Sequence, residues 1–221
     1  MSNPFPHYDV DQQWDYENGF YLTSHVTRIP KMLAHFELYK MITDLPGAIV
    51  ECGVLKGASL IRFCTFREIL ESPHSRKIIA FDAFGDFPTP KDADDQAFVQ
   101  EFEGAAGAGI PIDELDSVLN RKGFDNVELV PGDIVESVPA YAETHPELRI
   151  SLLHIDVDVY APSAVILKYF YDRLVPGGLL VLDDYGTVNG ETRAVEEYFG
   201  KHMPQIQKLP ISHIPAYIRK Q

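Results

Sequence analysis

Two apolar stretches of this chain each end in a pair of carboxylates, Asp156-Val157-Asp158 and Asp183-Asp184, and this pattern constrains the fold more than any other. Residues 149–156 read as a strand, 163–174 as a helix, Pro176-Gly177-Gly178 as a turn and 179–183 as a second strand. A strand, helix, strand run of that length is a right-handed parallel unit, so both acidic tips fall on the carboxyl edge of one sheet, where open α/β folds take their ligands. Carboxylates crowded at one edge repel each other, and a bound cation or a shared proton relieves the cost. The cation is the favoured reading.

The same alternation runs through most of the chain. Periodic apolar residues (Ile29, Leu33, Phe36, Met41, Ile42) predict a helix over 26–45 that stops at Pro46-Gly47. Strands are expected at 48–52, 77–82 and 127–130, helices at 58–70, 113–122, 135–143 and 192–201, and two closing strands at 206–209 and 214–218. Apolar strands alternating with helices make an α/β fold whose sheet is mostly parallel and covered on both faces. At 221 residues the chain suits one domain, 1–221, with an N-terminal extension over 1–45 and the core over 46–221. The long connection 83–111 follows a strand at the ligand edge. It is either a substrate lid or a surface insertion with a short helix at 96–102.

A net charge of −14 without any Lys/Arg cluster argues against a nucleic-acid substrate or an anionic membrane surface. No signal-peptide pattern and no run of about 20 apolar residues is present, so a cytoplasmic protein is expected. Cys52 and Cys64 are expected to be reduced core residues. The aromatic N-terminus (Phe5, Tyr8, Trp14, Tyr16, Phe20, Tyr21) has no clear period and must dock on its own chain or on a second copy, so a homodimer or higher oligomer is expected.

The turn after the first strand carries Glu51, Gly53, Gly57 and Ser59, where glycines let the backbone approach a ligand and the next helix offers free N–H groups. Asp82 ends the second strand and can accept both ribose hydroxyls of an adenosine-containing ligand. A dinucleotide fold would also need G-x-G-x-x-G, which is missing. S-adenosylmethionine, which has no phosphate, fits better. Glu51 then faces its amino group and Asp133 its adenine, each with a turn or capping role as the alternative. An NAD(P)-dependent oxidoreductase and a non-catalytic S-adenosylmethionine-binding protein are the rivals.

The blocks GAIVECGVLKGAS (47–59), FDAFGDFP (81–88), IDVDVY (155–160) and PGGLLVLDDYG (176–186) resemble the macrocin O-methyltransferase family over residues 28–199. The resemblance implies a Rossmann-like class I methyltransferase with a seven-stranded sheet, dependent on S-adenosylmethionine and Mg2+ (or Mn2+), methylating a deoxysugar hydroxyl. It places the metal on Asp156, Asp183 and Asp184, the general base on Asp158, and Asp156 also beside the cofactor. The chain departs from the family pattern at Ala83 to Asp86, at Val157, where a small residue is usual, and in being somewhat shorter than many relatives. The acceptor can be a nucleotide-linked sugar, a glycosylated natural product or a phenol. His154 shares the parity of Asp156 and reads as a support for the metal site or as a hydrogen-bonded core histidine; Tyr160 and Tyr185 read as pocket lining or packing.

Overall fold

Seven strands form one sheet in the order β3-β2-β1-β4-β5-β7-β6, in a computed structural model that describes residues 9–221 apart from the side chain of residue 94. The strands are β1 (Ala48–Cys52), β2 (Ile78–Asp82), β3 (Val127–Pro131), β4 (Ile150–Ile155), β5 (Leu174–Leu182), β6 (Gln207–Lys208) and β7 (Ala216–Arg219). The first five pair in parallel, and β7 runs antiparallel to both β5 and β6. The helices are α1 (Gln13–Thr23), α2 (Arg28–Lys40), α3 (Ala58–Leu70), α4 (Ala93–Ala106), α5 (Ile112–Lys122), α6 (Ile134–Thr144), α7 (Tyr160–Phe170) and α8 (Asn189–Phe199).

The period of two along each strand divides the core. Val50, Cys52, Phe81, Leu153, Ile155 and Leu182 face α6, α7 and α8, whereas Ile49, Ile78, Leu152, Leu179 and Val181 face α2, α3 and α5. Cys52 and Cys64 are buried and unpaired, as expected of core thiols. Among the described residues no helix is long and apolar enough to cross a membrane.

Four expectations change. Pro176-Gly177-Gly178 is part of β5, as an irregularity in its pairing with β4, because a short 3-10 turn at Tyr171–Arg173 already reverses the chain. α7 ends at Phe170, α8 starts at Asn189, and the helix in the long connection is α4, twice the length read from the sequence. The N-terminal extension is helical, as expected, through α1 and α2; α1 has no amphipathic pattern and buries none of its side chains. Phe5 and Tyr8 lie outside the described residues.

The turn from α2 to β1 is stapled by Arg76. Its buried guanidinium donates to the carbonyls of Ile42, Leu45 and Gly47, to Ser151 Oγ, and to Glu71. Glu71 in turn accepts from Tyr39 at 2.5 Å. Removing one partner of a buried ion pair strands the other, so Arg76→Met is expected to lower the unfolding free energy by about 3–5 kcal/mol, read by urea denaturation.

Candidate active site

The carboxyl edge of the sheet borders a cavity of about 320 Å³, within the usual range for small-molecule sites. The ends of β1, β2, β3 and β4 supply Gly53, Asp82, Asp133 and Asp156, and the connection 83–111 walls the opposite side with Phe87, Pro88, Phe102 and Glu103. That connection is fastened at both ends. Gly109 N–H donates to Gly85 and Ile110 N–H to Leu55, while Asp95 accepts from Tyr160 N–H at 2.9 Å and Asp92 pairs with Arg193 at 3.0 Å.

Gly53 has φ +91°, and a Cβ there would lie 1.8 Å from the Asp156 carbonyl oxygen, so the two strand tips meet only because this residue has no side chain. Asp82 Oδ2 accepts from Val54 and Leu55 N–H (2.7 and 3.1 Å) and Oδ1 from Phe84 N–H (2.7 Å). A carboxylate has about four lone-pair positions, so Asp82 retains room for one ribose hydroxyl rather than the expected two. Asp133 caps α6 through Val135 N–H at 2.9 Å and lines the cavity. Gly57, in left-handed backbone at the start of α3, and the buried Ser59 lie off the cavity wall.

Glu51 is placed elsewhere than expected. Its parity with Ile49 turns it to the α2/α3 face, where it is fully buried and binds His154 Nδ1 at 3.1 Å through Oε1, while Oε2 has no partner. His154 Nε2 lies 3.6 Å from Asp183 Oδ1, His35 Nε2 from α2 lies 3.7 Å from the same oxygen, and Lys31 Nζ holds Asp183 Oδ2 at 2.5 Å. Burial alone would lower His154, yet Asp183 and Glu51 raise it to about 10; burial lowers His35 to about 4. Burial would raise Asp183, but His154, His35 and Lys31 hold it well below the usual carboxylate range. A line of alternating charge therefore crosses the sheet, Lys31, Asp183, His154, Glu51.

The remaining acids form a different group. Asp156, Asp158 and Asp184 each bring an oxygen within 4.8 Å of the others, and Asp184 Oδ2 is buried without a partner. Of the expected metal set, Asp156 and Asp184 lie in this group together with Asp158, while Asp183 is held by Lys31, faces two histidines and raises Asp156 from beside it. β4 ends at Ile155, so shared strand parity does not bring Asp158 there. A tight turn does, with φ +62° at Asp158 and Val159 N–H bonded to the Val157 carbonyl at 2.6 Å. Left-handed backbone at a non-glycine residue is strain of the kind stored at working sites. Two charges at 4.8 Å cost roughly 3 kcal/mol at an effective dielectric of about 20. Burial, followed by the charge of a neighbouring carboxylate, pushes Asp158 up to about 7 (beside Asp156), Asp184 to about 8 (beside Asp158) and Asp156 well above its ordinary value (beside Asp183). Glu191, at the start of α8, is also buried; it accepts from Asp184 N–H at 3.1 Å and is raised by burial and by Asp184. Among the described residues no cation pairs with the cluster, although Lys31 acts on it from a distance, and it presents hard oxygen donors with one orphaned atom, which fits a divalent cation of the Mg2+ type.

The family model described as macrocin O-methyltransferase matches residues 28–220. The chain belongs to this O-methyltransferase family. It is 29% identical over 185 residues to the mycinamicin III 3''-O-methyltransferase of Micromonospora griseorubida, covering 80% of this chain and 69% of that protein. Two crystal structures of the calicheamicin methyltransferase, one of them described as a TDP-rhamnose 3'-O-methyltransferase, are 26% identical, with TM-scores of 0.72 and 0.68. The first covers 93% of this chain and 84% of the other, and the second 94% and 86%. The O-methyltransferase NovP shares the fold at a TM-score of 0.74 and 20% identity, over 87% of this chain and 80% of its own. The protein is an O-methyltransferase with a Rossmann-like, S-adenosylmethionine-binding fold, and the oxidoreductase reading falls. Lys31, His35 and Glu191 were not legible as site residues: each stands in a helix whose pattern gives no sign of which strand end it meets.

Because only a hydrogen fits between Gly53 and the Asp156 carbonyl, Gly53→Ala is expected to cost at least about 2 kcal/mol and to abolish binding of S-adenosylhomocysteine. Thermal unfolding and calorimetry check the two effects, and an unchanged affinity would show that this contact does not shape the cavity.

Proposed function

We propose that the protein transfers the methyl group of S-adenosylmethionine to a hydroxyl of a deoxysugar, with a divalent ion at the carboxylate cluster. The observation that carries this reading is the cluster of Asp156, Asp158 and Asp184, of which Asp156 and Asp158 line the cavity at the end of β4. The sugar acceptor is supported by the names of the relatives, among them a mycinamicin and a TDP-rhamnose O-methyltransferase.

Asp156 and Asp184 would hold the ion, since Mg2+ commonly takes only one or two protein carboxylates and completes its shell with water and substrate. When bound, it supplies the charge that makes a sugar hydroxyl more acidic. Asp158, on the cavity wall beside them, takes the hydroxyl proton, and the fixed strand tips orient the oxygen toward the sulfonium methyl. Asp82 receives a ribose hydroxyl and Asp133 the adenine amino group. Glu51, through His154, supports Asp183 behind the cluster instead of touching the donor. Phe87, Pro88 and Phe102, in the connection 83–111, exclude water as a lid. A homodimer belongs to the same reading, supported by Trp14, Tyr21 and Leu22, which are exposed on a helix that buries nothing; sedimentation measures it.

Labelled S-adenosylmethionine offered with a panel of nucleotide sugars and glycosylated natural products should give a methylated sugar that chelation suppresses. Asp158→Asn is expected to lower turnover by about 10²–10⁴ while Mn2+ still binds, more weakly than to wild type but more tightly than to the variants that remove a ligand. Asp156→Asn and Asp184→Asn should weaken Mn2+ binding itself. Normal turnover by the Asp158 variant would remove it as the base.

A further inference from the structure

Three buried polar atoms converge where α2 meets the ends of β4 and β5, and none has a hydrogen-bond partner among the described residues: His35 Nε2, His154 Nε2 and Asp183 Oδ1. Both histidines are fully buried, and Asp183 is 2% exposed. The Asp183 oxygen lies 3.7 Å from His35 Nε2 and 3.6 Å from His154 Nε2, and a donor atom of each residue lies within 4.8 Å of the others. These separations are too long for hydrogen bonds. They are close to the spacing of ligands around an ion, because bonds of about 2.0–2.2 Å at tetrahedral angles set neighbouring donors about 3.3–3.6 Å apart.

The surroundings hold the donors in place. Glu51 Oε1 lies 3.1 Å from His154 Nδ1, so Nε2 is the nitrogen turned to Asp183. A carboxylate behind a ligating histidine is a recurring support of metal sites. The His35 ring stacks on Phe63 (5.4 Å) and meets His154 edge-on (5.2 Å), and Phe63 also packs edge-on against His154 (5.4 Å). Lys31 takes the other oxygen of Asp183, which leaves Oδ1 for the site. A proton shared by His154 and Asp183 serves only one of the two imidazoles. His35 then keeps both ring nitrogens without a partner, a rare condition for a buried polar side chain.

We propose that His35, His154 and Asp183 form a second metal site, for a divalent transition-metal ion of the Zn2+ type, on the helix side of the carboxylate cluster. Two imidazoles and one carboxylate suit zinc and its neighbours, whereas Mg2+ takes oxygen donors. Three protein donors leave one tetrahedral position, for a water molecule. The ion enters in exchange for the proton that His154 otherwise carries, so the alternation of charge from Lys31 to Glu51 is kept. Its role is to pin α2 to the tips of β4 and β5, and it is independent of which acceptor the enzyme methylates.

Calorimetry with Zn2+ on chelator-treated protein, in excess Mg2+ to occupy the carboxylate cluster, tests the site. Wild type should bind one Zn2+ tightly per chain and, loaded with Co2+ instead, show the intense visible absorption of a tetrahedral ion. Glu51→Gln, which removes only the support of His154, should weaken Zn2+ by about 10–100-fold, and His35→Phe, which removes a ligand, by more than that. Asp184→Asn should leave the affinity for Zn2+ unchanged. No tight Zn2+ binding by wild type leaves the proton as the occupant and overturns the proposal, as does equal affinity in wild type and His35→Phe. A loss in Asp184→Asn as large as that in His35→Phe also overturns it and assigns the ion to the carboxylate cluster. If His35→Phe unfolds, Glu51→Gln, with all three donors in place, carries the readout, and an unchanged affinity there overturns the site.

Discussion

Negative charge concentrated at the ends of two adjacent parallel strands is the constraint on which the rest of this structure depends. Asp156, Asp158, Asp183, Asp184 and Glu191 converge at one edge, all half-buried or buried. In water such a group would simply be solvated. Here every element that packs against β4 and β5 has to respond to it.

The response differs on the two sides. Toward α2 and α3 the fold supplies its own compensation: Lys31 and His154 bracket Asp183, and Glu51 completes the line on the far strand. The chain of opposite charges is continuous across β1, β4 and β5 because Glu51 and His154 are paired in register and Asp183 keeps the parity of Val181. Toward the cavity no described cation pairs with an acid, and the three carboxylates there are raised by burial and by neighbouring carboxylates more than Lys31 lowers them. One acid of the edge, Asp183, is thus held toward its ionised form and the other three toward their protonated forms. This asymmetry is what makes the cavity side suited to an external cation, and the protein side a rigid support for it.

The strained turn at Asp158 fits the same logic. An ordinary strand continuation would send Asp156 and Asp158 along the sheet edge at spacing set by the pleat. The left-handed residue instead folds Asp158 back beside Asp156 and lets its carbonyl accept from Glu191 N–H, which seats α8 against the site. α8 packs on α7 and places Val195 and Phe199 in the core beside the sheet. The region around residues 176–178 shows the opposite case, in which glycines that read as a turn are absorbed as an irregularity within β5.

Strand parity, βαβ handedness and the length of each apolar run were legible in the residues themselves, because they follow from short-range geometry. They sufficed to put Gly53, Asp82, Asp133, Asp156 and Asp184 at one edge and to indicate a methyl-donor fold. The family likeness then named the chemistry that the edge can support. Which acids cluster at the cavity was not legible, since Asp183 and Asp184 are adjacent in sequence and only the face each side chain takes separates them. Nor was the arrival of Lys31 and His35 at Asp183: it depends on how α2, far away in the chain, lies against the sheet. Local periodicity determines where a strand ends and what it carries; only packing between distant elements decides which of those charges are neutralised from within and which remain for a ligand.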